Sequence, residues 1–183
     1  MEFGTEWVSV VLGSATVAAV VSAAVDAWRE KRRERRNARL DALRAAVALE
    51  GYALHCARRV SDHLDFEASG GAAGRQMGAV PAPPDIPVSS GLILPKATLA
   101  HRLHILPQVV GLASERAEFW WNIAGDMDSA REAAKQSAAE VALESLSLAS
   151  ALRSNFGLPA RQIAFGETDV GEFLRANVGK AAA

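Results

Sequence analysis

The order of apolar and polar positions divides the chain into helical segments around one long interruption. Trp7 to Val25 is a run of nineteen residues without a charge. Beyond it, apolar residues recur at helical spacing in two adjoining stripes: Leu40, Leu43, Val47 and Leu54, then Leu49, Ala53, Cys56, Val60 and Leu64. Because Gly51 costs a helix only about 1 kcal/mol, the pattern predicts one helix from the charge-free run to about Phe66.

The periodic pattern stops between residues 69 and 90. Four glycines and four prolines lie in this stretch: Gly70, Gly71, Gly74, Gly78, Pro81, Pro83, Pro84 and Pro87. Such a composition predicts a loop of about twenty residues. A loop of that length is uncommon within a compact domain, and we interpret it as a mobile connector between helices.

Four further helices are predicted after the loop. A short one covers residues 96–106, and Pro107 occupies the first turn of the next, which ends at Gly125 and Asp126. A capping box, Ser129 with Glu132, opens the third. Its apolar stripe is spaced 4, 3, 4, 3 and 4 residues apart: Ala134, Ala138, Val141, Ser145, Leu148 and Leu152.

Gly157 and Pro159 end the third of these helices, and a last short helix is expected over 169–177 after an irregular stretch. The two long helices form an antiparallel hairpin, and the far half of the first helix completes a three-helix bundle. We therefore predict an all-α protein in four parts: a membrane anchor (1–28), a basic stalk helix (29–67), a Gly/Pro-rich loop (68–94) and a helical hairpin domain (95–183).

Charge separates the anchor from the rest of the chain. The whole protein carries 20 basic and 21 acidic side chains, but the segment after Trp28 is net +5, with these basic residues: Arg29, Lys31, Arg32, Arg33, Arg35, Arg36 and Arg39. A nineteen-residue helix is about 28 Å long, close to the thickness of a bilayer core. Trp7 and Trp28 flank the run at the places where tryptophans anchor in the interface.

The sequence therefore predicts a single-pass helix in the inner (plasma) membrane. The positive-inside rule places the N-terminus outside and the C-terminal domain in the cytoplasm, with the basic run against anionic lipid. The lipid bilayer is the expected partner. Nucleic acid is not expected, because no helix-turn-helix or RNA-binding signature accompanies the basic run.

An alternative interpretation needs no membrane. Valine and alanine are only moderately hydrophobic, so residues 7–25 also suit a helix buried in a bundle or oligomer of a soluble all-helical protein. Small residues four apart, such as Ala15 and Ala19, are typical of closely packed helix pairs. They point weakly to a homo-oligomer or a protein partner.

Signatures of chemistry are sparse in the sequence. His101 and His104 are three residues apart on a predicted helix and suggest a metal-dependent enzyme as a further alternative, although no third ligand motif accompanies them. A single cysteine, Cys56, excludes an intrachain disulfide framework. We predict that the protein is not an enzyme and has no catalytic, cofactor or metal site.

Three consecutive aromatic residues, Phe119, Trp120 and Trp121, cannot all enter one core, because neighbours on a helix point in different directions. They are candidate contacts for a partner. Together with the anchor, they favour a membrane-anchored helical scaffold or interaction protein on the cytoplasmic face.

The order of segments also resembles a group of uncharacterised bacterial proteins that are anchored by a single membrane span. The resemblance is carried by the N-terminal run, the Arg-rich stalk, the Gly/Pro loop and these short motifs: Leu106-Pro107, Phe119-Trp120-Trp121, Leu152-Arg153 and Gly157-Leu158-Pro159. It covers most of the chain and implies the architecture. The group has no assigned activity, so the resemblance implies no catalytic residues.

Overall fold

The first element is a helix of 64 residues, α1, from Thr5 to Ala68. The computed structural model describes residues 5–86 and 97–178, with side-chain surroundings from residue 19 onward except at 123 and 124. Residues 19–37 of α1 are all exposed, and the core begins only at Ala42. The helix thus has a projecting segment, residues 19–41, which is about 35 Å long, and a packed half beyond it.

The second predicted stripe of α1 forms most of its buried face, and the first stripe contacts the core at Leu54. Leu49, Cys56 and Val60 are fully buried, whereas Leu40 and Val47 remain about half exposed. The buried face also includes alanines that the two stripes did not contain: Ala42, Ala45, Ala46 and Ala57. Small side chains allow close helix packing, and they turn the buried face of α1 away from the stripe of Leu40 and Val47.

The hairpin is formed by α2 (Ala97–Phe119), a π-helical turn (Trp120–Ala124) and α3 (Met127–Asn155). The predicted break at Pro107 is wrong, since α2 runs through it. The ring of Pro107 is exposed, and the proline removes one backbone hydrogen bond, the one to the carbonyl of Leu103. Meanwhile Leu103, Leu106 and Val110 keep the helix packed on both sides of the proline.

The predicted capping box is also wrong. Asp126 is the N-cap of α3, and its Oδ1 accepts hydrogen bonds from the backbone N–H groups of Asp128 and Ser129. Ser129 lies within the first turn and donates its hydroxyl to Asp126 Oδ2 at 2.6 Å. Aspartate and serine are similarly favoured as N-caps, and with Asp126 as the cap the helix starts at Met127.

Helix α3 is the centre of the fold. Its predicted stripe is confirmed, because all six residues from Ala134 to Leu152 at the stated spacing are buried. One side of α3 packs along α1 and the other along α2. The all-α class is confirmed, with a helical hairpin and α1 around this central helix.

The chain beyond α3 folds back onto the end of the bundle. Two short antiparallel strands, β1 (Ala164–Phe165) and β2 (Thr168–Asp169), precede α4 (Val170–Asn177). Asp169 caps α4 by accepting the N–H of Glu172 at 3.1 Å. Val170 and Leu174 are fully buried against α3 and α1.

The described part of the loop, residues 69–86, is a strap that returns along α1. Its Met77 and Val80 are buried, Arg75 donates its N–H to the carbonyl of Asp62 at 2.9 Å, and Tyr52 donates its hydroxyl to the carbonyl of Pro81 at 2.9 Å. Residues 69–86 contain no helix or strand, as predicted, and their interpretation as a mobile connector stays a prediction. Residues 87–96 lie outside the described residues.

Candidate functional site

The basic run occupies the projecting segment of α1 and contacts little of the bundle. All seven of its basic residues are exposed. Trp28 is 61% exposed, and the guanidinium of Arg32 lies 5.3 Å from the centre of its ring. Arg39 alone reaches the bundle, where its Nη2 donates to the carbonyl of Gly157 at 2.9 Å. The side chain of Trp7 lies outside the described residues.

Among the helices that the structure describes, none is both long enough and apolar enough to cross a membrane. The candidate span covers residues 7–25, and the side chains of its first twelve residues are outside the described set. Within the remainder, Val20 and Val21 are exposed by more than half.

The three aromatics lie at the opposite end of the molecule, where α2 turns into α3. Phe119, Trp120 and Trp121 are 51%, 39% and 52% exposed, so none of them is absorbed by the core. The rings of Phe119 and Trp120 meet edge to face with centroids 5.7 Å apart. We call this surface the aromatic tip. Trp120 and Trp121 begin the π-helical turn, and such turns frequently occur at functional sites.

The residues proposed for chemistry do not converge. His101 and His104 are both exposed on α2, and within residues 5–86 and 97–178 no three potential ligands gather in a metal-binding group. Cys56 is buried in the core, and burial raises the pKa of its thiol to about 12. With that pKa the thiol is protonated at neutral pH, whereas the nucleophilic form of cysteine is the thiolate.

His63 connects the strap to α1 next to the aromatic tip. Its ring is buried, and Nδ1 accepts the backbone N–H of Met77 at 3.2 Å. The other nitrogen, Nε2, lies 3.4 Å from Oε1 of Glu67. Burial lowers the pKa of His63, while Glu67 and Glu132 partly oppose this effect and Lys135 and Arg131 reinforce it. The folded protein therefore favours the neutral imidazole, whose Nδ1 is free to accept.

Stability is expected to fall as the pH drops below about 6.5, the pKa of an unperturbed histidine. Below that value the unfolded chain takes up a proton that folded His63 resists, and above it the ring is neutral in both states. Urea unfolding at pH 7.5 and 5.5 measures the difference. His63→Gln should reduce it, whereas His55→Gln, at an exposed position of the same helix, should not. An unchanged difference in His63→Gln would contradict this assignment.

A second polar site lies near the other end of the bundle and was missed by sequence reasoning. Arg153 of α3 holds Glu50 of α1 through two hydrogen bonds, from Nε to Oε1 at 2.5 Å and from Nη2 to Oε2 at 3.0 Å. The side chains are only 9% and 5% exposed. Hydrogen bonding to Glu50 raises the pKa of Arg153. A third residue, Arg161, donates to Oε2 of Glu50 at 3.1 Å.

This triad forms part of a cleft of about 570 Å³ between α3 and the returning C-terminal segment. We call it the arginine cleft. Arg153, Arg161 and Arg175 line it together with the carboxylates of Glu50 and Asp169, which gives the cleft a net charge of +1. The rest of its wall combines apolar side chains with the polar groups of two serines and a glutamine: Leu146, Ala149, Leu158, Ala160, Ile163, Val170, Ser150, Ser154 and Gln162.

A local signal for the triad exists in the sequence. Glu50 stands at helical spacing from Ala46 and Ala53, so the buried face of α1 contains one carboxylate. Arg153 similarly follows Leu152 at the end of the α3 stripe. A charge on an apolar face calls for a partner, but nothing in the sequence says that these two residues, 103 positions apart, meet.

Comparison with protein-family models, curated proteins and solved structures finds no match to this chain. The resemblance to bacterial single-span proteins therefore stays a prediction.

Proposed function

We propose that the protein is a membrane-anchored helical scaffold on the cytoplasmic face of a bacterial inner membrane. The observation that carries this proposal is the projecting segment of α1, which reaches the bundle only at its far end and presents exposed Val20, Val21 and Trp28 next to an exposed basic run. An isolated apolar helix of this kind needs a cover. The charge-free run from Trp7 to Val25 and the cations after it suit a bilayer and its anionic surface.

The scaffold role rests on the aromatic tip. The N-terminus of α3 and the C-terminal end of α1 meet there, because Asp128 and Arg131 share a small cavity with Phe66. Phe66 follows Trp28 by 38 residues, which is roughly 57 Å along a helix. An exposed cluster of large aromatics held that far from the anchor suits contact with a protein partner.

Extraction of native membranes with alkaline carbonate tests the anchor. We expect the full chain to remain in the membrane pellet, since a charge-free helix of about 28 Å spans the bilayer core. Release by carbonate would contradict the anchor and favour the soluble alternative, in which residues 7–25 are buried in an oligomer. A variant with Val20→Lys and Val21→Lys serves as the control and should be recovered in the soluble fraction.

Orientation follows from the basic run. A reporter fused after Ala183 is expected to report a cytoplasmic location, and replacement of Arg32, Arg33, Arg35 and Arg36 by glutamine should weaken that preference. The helix content of the bundle should not change, because these side chains are exposed. A periplasmic signal from the wild-type fusion would exclude the proposed topology.

Site-specific photocrosslinking tests the partner role of the aromatic tip. A photoreactive phenylalanine analogue at Trp121 is expected to give a covalent adduct with a second protein in intact cells. The same analogue at Gln108, an exposed position of α2 outside the tip, is the matched control. Equal labelling at both positions, or none at Trp121, would contradict a partner-binding tip.

A further inference from the structure

The arginine cleft has more hydrogen-bond donors than the protein uses. Each of the three guanidinium nitrogens of Arg153 already makes a hydrogen bond, since Nε and Nη2 donate to Glu50 and Nη1 donates to the carbonyl of Pro159 at 2.9 Å. Arg161 uses only Nη1 and is 54% exposed. Arg175 is exposed and has no ion-pair or hydrogen-bond partner within the described parts of the chain. Two guanidinium groups therefore line the cleft with unused donors.

The net positive charge of the cleft also favours an anion. Arg153 neutralises Glu50, and Asp169 uses Oδ1 to cap α4. With three arginines and two carboxylates, the cleft carries a net charge of +1. Gly171 keeps the space between Asp169 and Arg175 open, because a Cβ there would lie 3.1 Å from Oδ1 of Asp169 and 3.1 Å from Nη2 of Arg175.

We propose that the arginine cleft binds a soluble phosphate monoester that carries an apolar group. A phosphate offers three terminal oxygens to the free donors of Arg161 and Arg175 and to the hydroxyls of Ser150 and Ser154. Arginine is the residue that suits such an ion. The partly exposed apolar side chains of Leu158 and Ile163 line the same cleft and receive the organic part. A volume of about 570 Å³ is typical of a small-molecule site.

A phospholipid head group presents the same phosphate, but it is poorly placed. Glu50 follows Trp28 by 22 residues, roughly 33 Å along α1. With Trp28 at the membrane interface, the cleft is separated from the bilayer by most of that distance. The choice of a soluble ligand, unlike the cleft itself, rests on the proposed anchor.

Calorimetric titration of the full chain in mild detergent with phenyl phosphate tests the proposal. Saturable 1:1 binding is expected, and Arg175→Gln should weaken it by about tenfold or more, the effect of losing a charged hydrogen bond. Arg161→Gln should act in the same direction. Arg175 has no hydrogen-bond or ion-pair partner among the described residues, so its variant stays informative if Arg161→Gln is unstable. Arg116→Gln is the matched control, because Arg116 is also 54% exposed but lies on α2 and should leave binding unchanged.

Three outcomes would overturn the proposal. The first is the absence of saturable binding, and the second is equal binding by the Arg175→Gln, Arg161→Gln and Arg116→Gln variants. The third is tighter binding of benzoate, which would assign the cleft to carboxylates. Vesicles of phosphatidylcholine with phosphatidic acid form a separate arm, and Arg175-dependent binding to vesicles alone would exclude the soluble ligand. Carbonate extraction has no bearing on phenyl phosphate binding, so failure of the anchor and failure of the cleft are distinguishable.

Discussion

Replacing Glu50 with alanine is expected to lower the free energy of unfolding by about 3–5 kcal/mol. The substitution removes the only carboxylate that contacts Arg153 among the described residues. The Arg153 side chain is only 9% exposed, and its charge would be left without a carboxylate partner. Arg161 would lose its partner as well. Urea unfolding followed by circular dichroism at pH 7.5 measures the loss.

Two further variants separate burial from charge pairing. Glu144→Ala breaks the exposed pair with Arg102, whose side chains are 35% and 38% accessible, and should cost less than about 1 kcal/mol. The double variant Glu50→Leu with Arg153→Met removes both buried charges and should recover most of the stability, since apolar replacements of buried pairs are often neutral. A Glu50→Ala loss no larger than that of Glu144→Ala would show that the pair does not stabilise the bundle.

The parts of the fold that the sequence predicted are those that depend on a single helical period. The stripe from Ala134 to Leu152 repeats regularly over five turns, and all of its members are buried. The continuity of α1 was likewise predictable, because one glycine in a long helix is a small cost. Local rules of this type need no knowledge of what the helix packs against.

Errors arose where tertiary packing competes with a local rule. Pro107 is typical of a helix start, yet the buried row of Leu99, Leu103, Leu106 and Val110 continues past it, because one lost backbone hydrogen bond costs less than breaking that row. The alanines of α1 explain why its buried face differs from the predicted stripe of Leu40 and Val47. An apolar pattern gives more weight to Leu40 and Val47 than to Ala42 and Ala46, whereas close packing against α3 selects the smaller side chains.

The candidate sites divide in the same way. Exposed groups that are contiguous in the chain, such as the basic run and the aromatic tip, can be identified from the sequence alone. The arginine cleft combines Glu50, Arg153, Arg161 and Arg175 from three separate segments. Its identification requires the antiparallel register of α1 and α3, which periodicity does not specify.

Replacing Gly74 with alanine is expected to release the strap and to lower the free energy of unfolding by about 2–5 kcal/mol. Gly74 has φ +73°, and a Cβ there would lie 2.1 Å from the carbonyl oxygen of Asp62 and 2.7 Å from the backbone nitrogen of Phe66. Both atoms belong to the backbone of α1 and cannot move aside. The strap would have to lift, which exposes Met77 and breaks its hydrogen bond to His63. Urea unfolding measures the loss, and hydrogen exchange at the Met77 amide reports the release.

Gly70→Ala separates the two causes of that loss. Gly70 has nearly the same left-handed backbone, with φ +61°, but no atom lies within 4 Å of the position its Cβ would take. Only the backbone cost remains, so we expect a loss of about 1–2 kcal/mol and a protected Met77 amide. If Gly74→Ala cost no more than Gly70→Ala, the close approach to Asp62 would not hold the strap in place. A larger loss with rapid exchange at Met77 would establish that this contact positions the strap over His63.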